Sequence, residues 1–314
     1  MVNYLAAIAR NIGDKLMNFQ LFAEEFMNEF SDARVFVYEN NSTDSTKQLL
    51  LMWAALNNRV TVKCEDIDDD TMKLHCIART MDNKPCRMEA IAYARNRLME
   101  MLEETEIGSR EEDRIIMVDA DINCVMSAEP LIKILKSKKN DYDALFANGI
   151  SKRNNYYDIS AYYDMYYPFG LEMIDEKRVF SEKYKSLIQQ IPINAPRIPV
   201  LSAFGGIGIY RASCIRGLRY TGSITKDVHS VFTKFTEQYP DHPWVKQVLS
   251  KPTTHLDGAL LGIYLYDKKL FYKNNSGYNY PVICEHVPFH SSMICKGYSR
   301  LFVEPSLLYY SDHW

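Results

Sequence analysis

No apolar run in this 314-residue chain approaches the roughly 18 residues that cross a bilayer, and the N-terminus has no signal-peptide hydrophobic region. The expectation is a soluble, cytoplasmic protein with no integral membrane segment, whose fold starts at its first strand. No CxxC pair occurs among the seven cysteines, an odd number. That argues against a disulfide framework and for a reduced compartment, with the thiols as small core hydrophobes. An excess of positive charge is also missing: 37 Lys and Arg stand against 40 Asp and Glu, for a net charge of −3. Nucleic acid is therefore not an expected partner. Internal repeats and low-complexity linkers are absent, which favours one continuous domain.

What is present is globular: 47% hydrophobic and 25% charged residues, enough for a sizeable core. Residues 2–9 read as a strand. From Leu16, Phe19, Phe22, Phe26 and Phe30 recur at helical spacing. Residues 33–38 form the next strand, a polar loop opens a helix through Leu56, and residues 60–64 form a third strand. Strand, helix, strand, helix, strand is the signature of a parallel α/β sheet. Residues 66–85 break the rhythm without a readable pattern. A helix follows over 88–103, with Ile91, Ala94, Leu98 and Leu102 on one face, then a strand ending at Asp119 and a helix over 131–135.

Beyond a strand at 143–147 the chain becomes irregular. Tyr156, Tyr157, Tyr162, Tyr163, Tyr166, Tyr167 and Phe169 crowd together, more in the manner of core than of a ligand platform. Residues 199–211 (PVLSAFGGIGIYR) read as a strand interrupted by Gly205 and Gly206, either a bulge or a close approach of backbone to ligand. Residues 221–252 carry no pattern beyond a turn. A helix is expected over 255–266 and a strand over 270–272.

The organising stretch is residues 114–125, RIIMVDADINCV. A buried strand stops at Asp119 and Asp121, and open α/β sheets keep their ligands at the carboxyl edge of the strands. Two carboxylates so close repel unless a cation lies between them, and Mg²⁺ or Mn²⁺ prefers oxygen ligands. Capping of a following helix is the competing use of either aspartate.

The strand running into Arg10 and Asn11, the loop ENNSTDST from Glu39, the helix carrying Ala94-Arg95-Asn96 and the sequence Val118-Asp119-Ala120-Asp121 together resemble GT-A-fold glycosyltransferases. The YEN-x-S-x-D-x-T loop and the closing Cys-Glu segment, followed by Gly297 and Arg300-Leu301-Phe302-Val303-x-Pro305, are similar to those of family 2-like enzymes and fungal capsule-associated α-mannosyltransferases. The resemblance implies a Rossmann-like, mainly parallel mixed sheet flanked by helices, in a single domain with an irregular second half. Residues 1–150 would bind a nucleotide-sugar donor, and 151–314 would bind a glycan or other hydroxyl acceptor and complete the site. It further implies Mn²⁺ or Mg²⁺ on Asp119 and Asp121, and donor contacts at Ala9, Arg10, Asn11, Glu39, Asn40, Arg95, Asp119, Gly205 and Gly206. Those enzymes carry a membrane anchor, which is not expected here, and many have Asn at the first position of the metal pair, where this chain has Asp119.

Glycosyl transfer releases a diphosphate, so charge must be stabilised on the leaving group; a divalent ion and Arg95 supply that. His286 and His290, spaced i, i+4, are further candidate metal ligands, although Pro288 lies between them. Asp257 and Glu285 are the candidate general bases, with helix capping the plainer role for Asp257. Asn40 and Asp44 read as a loop bond and a helix cap. Two alternatives remain. A sugar-1-phosphate nucleotidylyltransferase would carry a glycine-rich phosphate loop after its first strand, where this chain has only Gly13. A catalytically silent glycan or partner binding protein would keep the fold without turnover.

Overall fold

The computed structural model describes residues 2–105, 112–137, 141–152, 154–170, 191–250, 261–274 and 277–311. Its strands are β1 (Asn3–Ala9), β2 (Arg34–Asn40), β3 (Val60–Glu65), β4 (Arg114–Asp119), β5 (Ala144–Ile150), β6 (Ile198–Pro199), β7 (Ile207–Arg211), β8 (Leu261–Tyr266), β9 (Lys269–Asn274) and β10 (Leu301–Tyr310). The helices are α1 (Leu16–Glu29), α2 (Thr46–Leu56), α3 (Asp69–His75), α4 (Arg87–Glu103), α5 (Glu129–Lys136), α6 (Ala212–Ile215), α7 (Lys226–Gln238), α8 (Pro243–Ser250) and α9 (His286–Cys295).

Strand residues alternate between two faces, and the core divides accordingly. Tyr4, Ala6, Phe36, Tyr38, Ile115 and Met117 project to one side, where α4, α7 and α9 supply Leu98, Met99, Val228, Phe232, Phe289 and Met293. Leu5, Ala7, Val35, Val37, Ile116 and Val118 project to the other, against Phe19, Phe22 and Phe26 of α1, Trp53 of α2 and Leu131 of α5. The phenylalanine spacing thus marks the inner stripe of α1. Removing one of these fully buried rings would cost about 3–5 kcal/mol.

An eight-stranded sheet runs in the order β3-β2-β1-β4-β7-β5-β10-β6. β1 pairs in parallel with β2 and β4, and β2 with β3. β7 lies antiparallel to both β4 and β5, β10 is parallel to β5, and β6 pairs antiparallel with β10. The expected mixed, mainly parallel sheet flanked by helices is what the chain forms. Its order turns back between β1 and β4, the place where such sheets open a crevice for ligand.

Several elements differ from the sequence reading. Of the helix expected over 255–266, residues 255–260 lie outside the described residues, and 261–266 form instead strand β8, which pairs with β9 in a two-residue hairpin. Asp267 and Lys268 take φ of +47° and +59° there, the left-handed pair that matches strand twist. The interrupted strand at 199–211 is two short strands with the Gly205–Gly206 turn between them. Residues 221–252, left unassigned, hold α7 and α8. Thr225 caps α7 by accepting from the Val228 N–H at 3.2 Å, and Val228, Val231, Phe232 and Phe235 make its inner stripe. Asp68 caps α3 inside the stretch without a readable pattern. Of the tyrosine-rich segment, Tyr156 and Tyr163 are core, while Tyr166 is exposed. The seven cysteines are unpaired; Cys76, Cys86, Cys214 and Cys284 are buried, and Cys124 and Cys295 are exposed. No helix among the described residues is long and apolar enough to cross a membrane.

At the edge strand β3, Glu65 takes a bidentate pair from Arg97 of α4, 2.6 and 3.1 Å, and the Tyr38 hydroxyl at 2.7 Å. The Arg97 hydrogen bonds pull the Glu65 carboxyl down to about 2, against burial and helped by Tyr38. A carboxyl held below its unfolded value stabilises the fold above that value and loses the effect as pH falls through the folded one. Glu65→Gln should therefore destabilise by roughly 1–3 kcal/mol at pH 7. The gap to the unsubstituted protein should narrow steadily between pH 4.5 and about 2, as measured by denaturant midpoints across pH.

Candidate active site

Position on the strand decides which way each carboxylate of the central stretch points. Asp119 continues the Ile115, Met117 series, so its side chain emerges on the α4 side of the sheet; Ile8 of β1 is its register partner. Arg95 occupies a place on the inner stripe of α4, beside Ala92, Leu98 and Met99. It is 4% exposed, where a solvated helix charge would be open. Its Nη2 donates to Asp119 Oδ1 at 3.3 Å and its Nε to Glu285 Oε1 at 3.1 Å. The guanidinium also lies over the Phe204 ring, 4.8 Å from its centroid, and 5.7 Å from that of Tyr220. Burial disfavours the charge, but Glu285 and Asp119 outweigh it and hold Arg95 protonated.

Tyrosines from the second half close over the aspartates. Tyr157 donates to Asp119 Oδ2 at 3.0 Å, and Tyr309 of β10 lies 3.3 Å from both the Asp119 carbonyl oxygen and Asp121 Oδ1. The Gly206 carbonyl accepts from the Asp119 N–H at 2.9 Å. Asp158, beside Tyr157, accepts from the Gly205 N–H at 3.2 Å. Burial pushes Asp158 up to about 6, with the Glu285 charge adding to it. Burial likewise raises Asp119, Arg95 opposing and Asp121 and Asp158 reinforcing. Asp119 and Glu285 thus pair with the guanidinium directly, while Asp121 and Asp158 act on Asp119.

Glu39 ends β2 fully buried. Its Oε1 accepts from the Ser42 N–H at 2.8 Å, while Oε2 has no hydrogen-bond partner. The Cys64 thiol lies beside this carboxylate, and burial together with the Glu39 charge pushes the thiol up to about 11. Ala9 lies alongside it in the register, Arg10 is exposed, and Asn40 donates to Asn41 at 3.0 Å as a loop bond. Asn11, at φ +52°, accepts from the Thr43 N–H at 2.8 Å and fastens the two loops together. The N–H groups of Asn11, Ile12 and Gly13 are taken by Ser42, Thr46 and Asp44. This loop therefore has no open cradle of N–H groups such as a nucleotidylyltransferase phosphate loop presents. Asp44 also accepts from the Thr46 N–H at 3.0 Å, one residue ahead of the N-cap Ser45 of α2 rather than as the cap itself.

Other candidates sit differently from expectation. His286 and His290 share a face of α9, with Pro288 in the first turn where it is tolerated. That face looks into the core. His290 is bound on both ring nitrogens, by Ser202 at 2.8 Å and Tyr210 at 2.9 Å, which leaves no lone pair for a metal; burial pushes its pKa down to about 3. His286 stacks on Phe204 at 4.1 Å, fully enclosed, and burial and the Arg95 charge keep it neutral. Glu285 is 4% exposed and committed to Arg95, so it is placed to hold that ion pair rather than to meet an acceptor hydroxyl. Asp257 lies outside the described residues.

The space a side chain would fill at Gly205 is held by the Ala147 carbonyl oxygen, 2.2 Å from a built Cβ, and at Gly206 by the Tyr309 ring. Both have positive φ, +64° and +92°. Their smallness serves the approach of β5 and β10, not open room for a sugar. Asp158 and Tyr309 do not figure in the sequence reading, and Tyr157 enters it only as one of the aromatic cluster. Only Tyr309 had a legible signal, the alternation of buried Leu301, Val303, Leu307 and Tyr309 along β10.

Arg95→Met should lower stability by roughly 3–5 kcal/mol, because it strands two buried carboxylates. Adding Glu285→Gln should recover at least about 1 kcal/mol of that loss, a coupling read from denaturant unfolding of the double-mutant cycle.

Residues 3–236 match the family described as cryptococcal mannosyltransferase 1. No curated protein matches the chain significantly. Among solved structures, TarS 1–349 of S. aureus in complex with UDP-GlcNAc is 12% identical, with a TM-score of 0.43, covering 100% of this chain and 59% of that one. A mannosyltransferase of Pyrobaculum calidifontis in complex with GDP-Man and Mn²⁺ is 12% identical at a TM-score of 0.35, covering 75% and 52%. The glucosyl-3-phosphoglycerate synthase of M. tuberculosis is 12% identical at 0.34, covering 78% and 68%. The chain spans between 30% and 60% of the length of the TarS chains it matches. With three-quarters of its length in the match, the chain belongs to the cryptococcal mannosyltransferase 1 family.

Proposed function

We propose that the chain is a metal-dependent glycosyltransferase that moves a sugar, in keeping with its family a mannosyl group, from a nucleotide-diphosphate donor to a hydroxyl of a glycan acceptor. The observation that carries this reading is the position of Asp119 and Asp121 at the carboxyl end of β4, beside the β1–β4 crevice, among more carboxylates than the Arg95 charge offsets. The donor's nucleotide would lie along the ends of β1 and β2, where the unpartnered Glu39 Oε2 waits for a ribose or base donor.

Among the described residues no cluster of three or more His, Cys, Asp and Glu side chains is arranged to hold a metal. This still fits Mg²⁺ or Mn²⁺, which bind through one or two carboxylates and fill their remaining positions with water and substrate phosphate. Asp121 would hold the ion and Asp119 would share it or orient its water. A bound ion supplies Lewis-acid stabilisation of the departing diphosphate. Arg95 keeps Asp119 in place and adds positive charge beneath it. Tyr157 and Tyr309 fix the rotamers of the pair through their hydroxyls. For the acceptor hydroxyl, Asp158 joins Asp257 as a candidate base, since a carboxylate raised to about 6 accepts a proton more readily near neutral pH.

Thermal unfolding should rise by a few degrees with a nucleotide-sugar in the presence of Mn²⁺ and stay unchanged with the donor alone. A hundredfold excess over Kd stabilises by about 2.7 kcal/mol. A panel of GDP-mannose and UDP-sugars reads this directly. Asp121→Ala should abolish the metal-dependent increment; an unchanged increment would place the metal elsewhere. Donor binding without turnover on any hydroxyl acceptor would leave the silent binding protein as the better account.

A further inference from the structure

On the flank of α4 turned away from the aspartates there is a second concavity of about 370 Å³, within the roughly 300–1,000 Å³ range of small-molecule sites. His75 at the end of α3, Tyr93, Asn96, Arg97 and Glu100 of α4, and Arg219 line it. The imidazole and the phenol stand together at one wall, ring centroids 5.1 Å apart and tilted by 49°. Ile77 and Ala92 add apolar surface, Glu89 accepts from the Thr221 and Ser223 hydroxyls, and the two arginines are paired with carboxylates. Arg97 holds Glu65 with two nitrogens and also pairs with Glu100. Arg219 grips Glu103 through two bonds of 2.8 and 2.6 Å. Asn96 and the Tyr220 backbone exchange two hydrogen bonds, 2.9 and 2.7 Å, which fixes the far wall.

This pattern selects a ligand class. A phosphate or a carboxylate is recognised by a guanidinium with its fork open, and both forks here are closed on carboxylates. A purely apolar ligand would strip water from the outer lone pairs and second N–H protons of these paired groups without replacing it. A neutral polyol satisfies both halves. Its hydroxyls donate to the outer lone pairs of Glu100 and accept from remaining N–H groups, while its C–H face covers the aromatic pair. We infer that this cleft binds a neutral saccharide, the portion of the acceptor glycan beyond the sugar that receives the transfer.

The cleft is coupled to the aspartates through α4 and through Tyr220. Asn96 follows Arg95 directly, and the Tyr220 backbone lines the cleft while its ring faces the Arg95 guanidinium. A glycan held here would bear on the helix that positions Asp119. The role as acceptor subsite rests on the transferase reading; binding of a saccharide does not.

Isothermal titration with an α-linked mannotetraose and with maltotetraose tests the inference, with inorganic phosphate as competitor. At least one tetraose should bind, Tyr93→Ala and His75→Ala should each weaken it tenfold or more, Tyr93→Phe should change it less than twofold, and phosphate should not displace it. The Mn²⁺-dependent shift with nucleotide-sugar should be unchanged in all three variants, which also shows that they fold. No binding of either tetraose, equal affinity in both alanine variants, or displacement by phosphate would overturn the proposal. Saccharide binding that depends on Tyr93 and His75 in a protein with no nucleotide-sugar response would uphold the cleft as a saccharide site and remove its role as an acceptor subsite.

Discussion

The Arg95 guanidinium, enclosed between Glu285 and Asp119 and roofed by Phe204 and Tyr220, is the contact on which the arrangement of the crevice depends. Placing a guanidinium in a helix's inner stripe carries a desolvation cost of several kcal/mol, which is recovered only when its partners arrive in good geometry. Those partners come from the end of β4 and from the segment that opens α9, 190 residues away in sequence from Arg95. The ion therefore acts as a geometric specification. It fixes how α4 rotates against the sheet and which way Asp119 faces, and it draws the C-terminal segment across the first half of the chain.

Around that ion the second half of the chain contributes what the parallel half cannot. β7 enters between β4 and β5 with opposite direction, so the turn that precedes it, Gly205 and Gly206, comes to rest at the carboxyl end of β4. β10 pairs with β5 across a register shift between Glu304 and Leu308, beside Pro305, which has no N–H to offer the ladder. Its last turns carry Tyr309 over the aspartates. Tyr157 stacks on Tyr309, ring centroids 6.1 Å apart, so two hydroxyls reach Asp119 and Asp121 from one aromatic layer. The geometry of the carboxylate pair is thus set by side chains whose sequence separation from it is large.

The histidines show how the same residue type divides by burial. At i, i+4 on a helix, two imidazoles present the spacing of a metal site, and they do share a face. The face is buried, however: His290 satisfies both ring nitrogens on Ser202 and Tyr210, while His286 stacks on Phe204 with neither nitrogen hydrogen-bonded. Glu39 is as deeply buried, with one carboxylate oxygen on the Ser42 N–H and the other without a hydrogen-bond partner near the end of β2.

Periodicity alone determined the elements of the parallel half, because period-two strands and the Phe19, Phe22, Phe26 stripe report which faces must leave water, and burial dominates their free energy. It also located Asp119 and Asp121 at a strand end, and Glu39 at another. The stripe of α7 and the alternation of β10 follow the same periods, but neither is read from the sequence, because turns and irregular segments on either side blur them. Other features could not be read from the chain at all. Whether Glu285 meets solvent or an arginine, whether His290 has a lone pair to spare, and whether Gly205 opens space or closes it are settled by residues brought together across long sequence separations. Local sequence encodes burial and direction; the pairing of charges and the filling of the last few ångströms are decided only when the sheet assembles in its order.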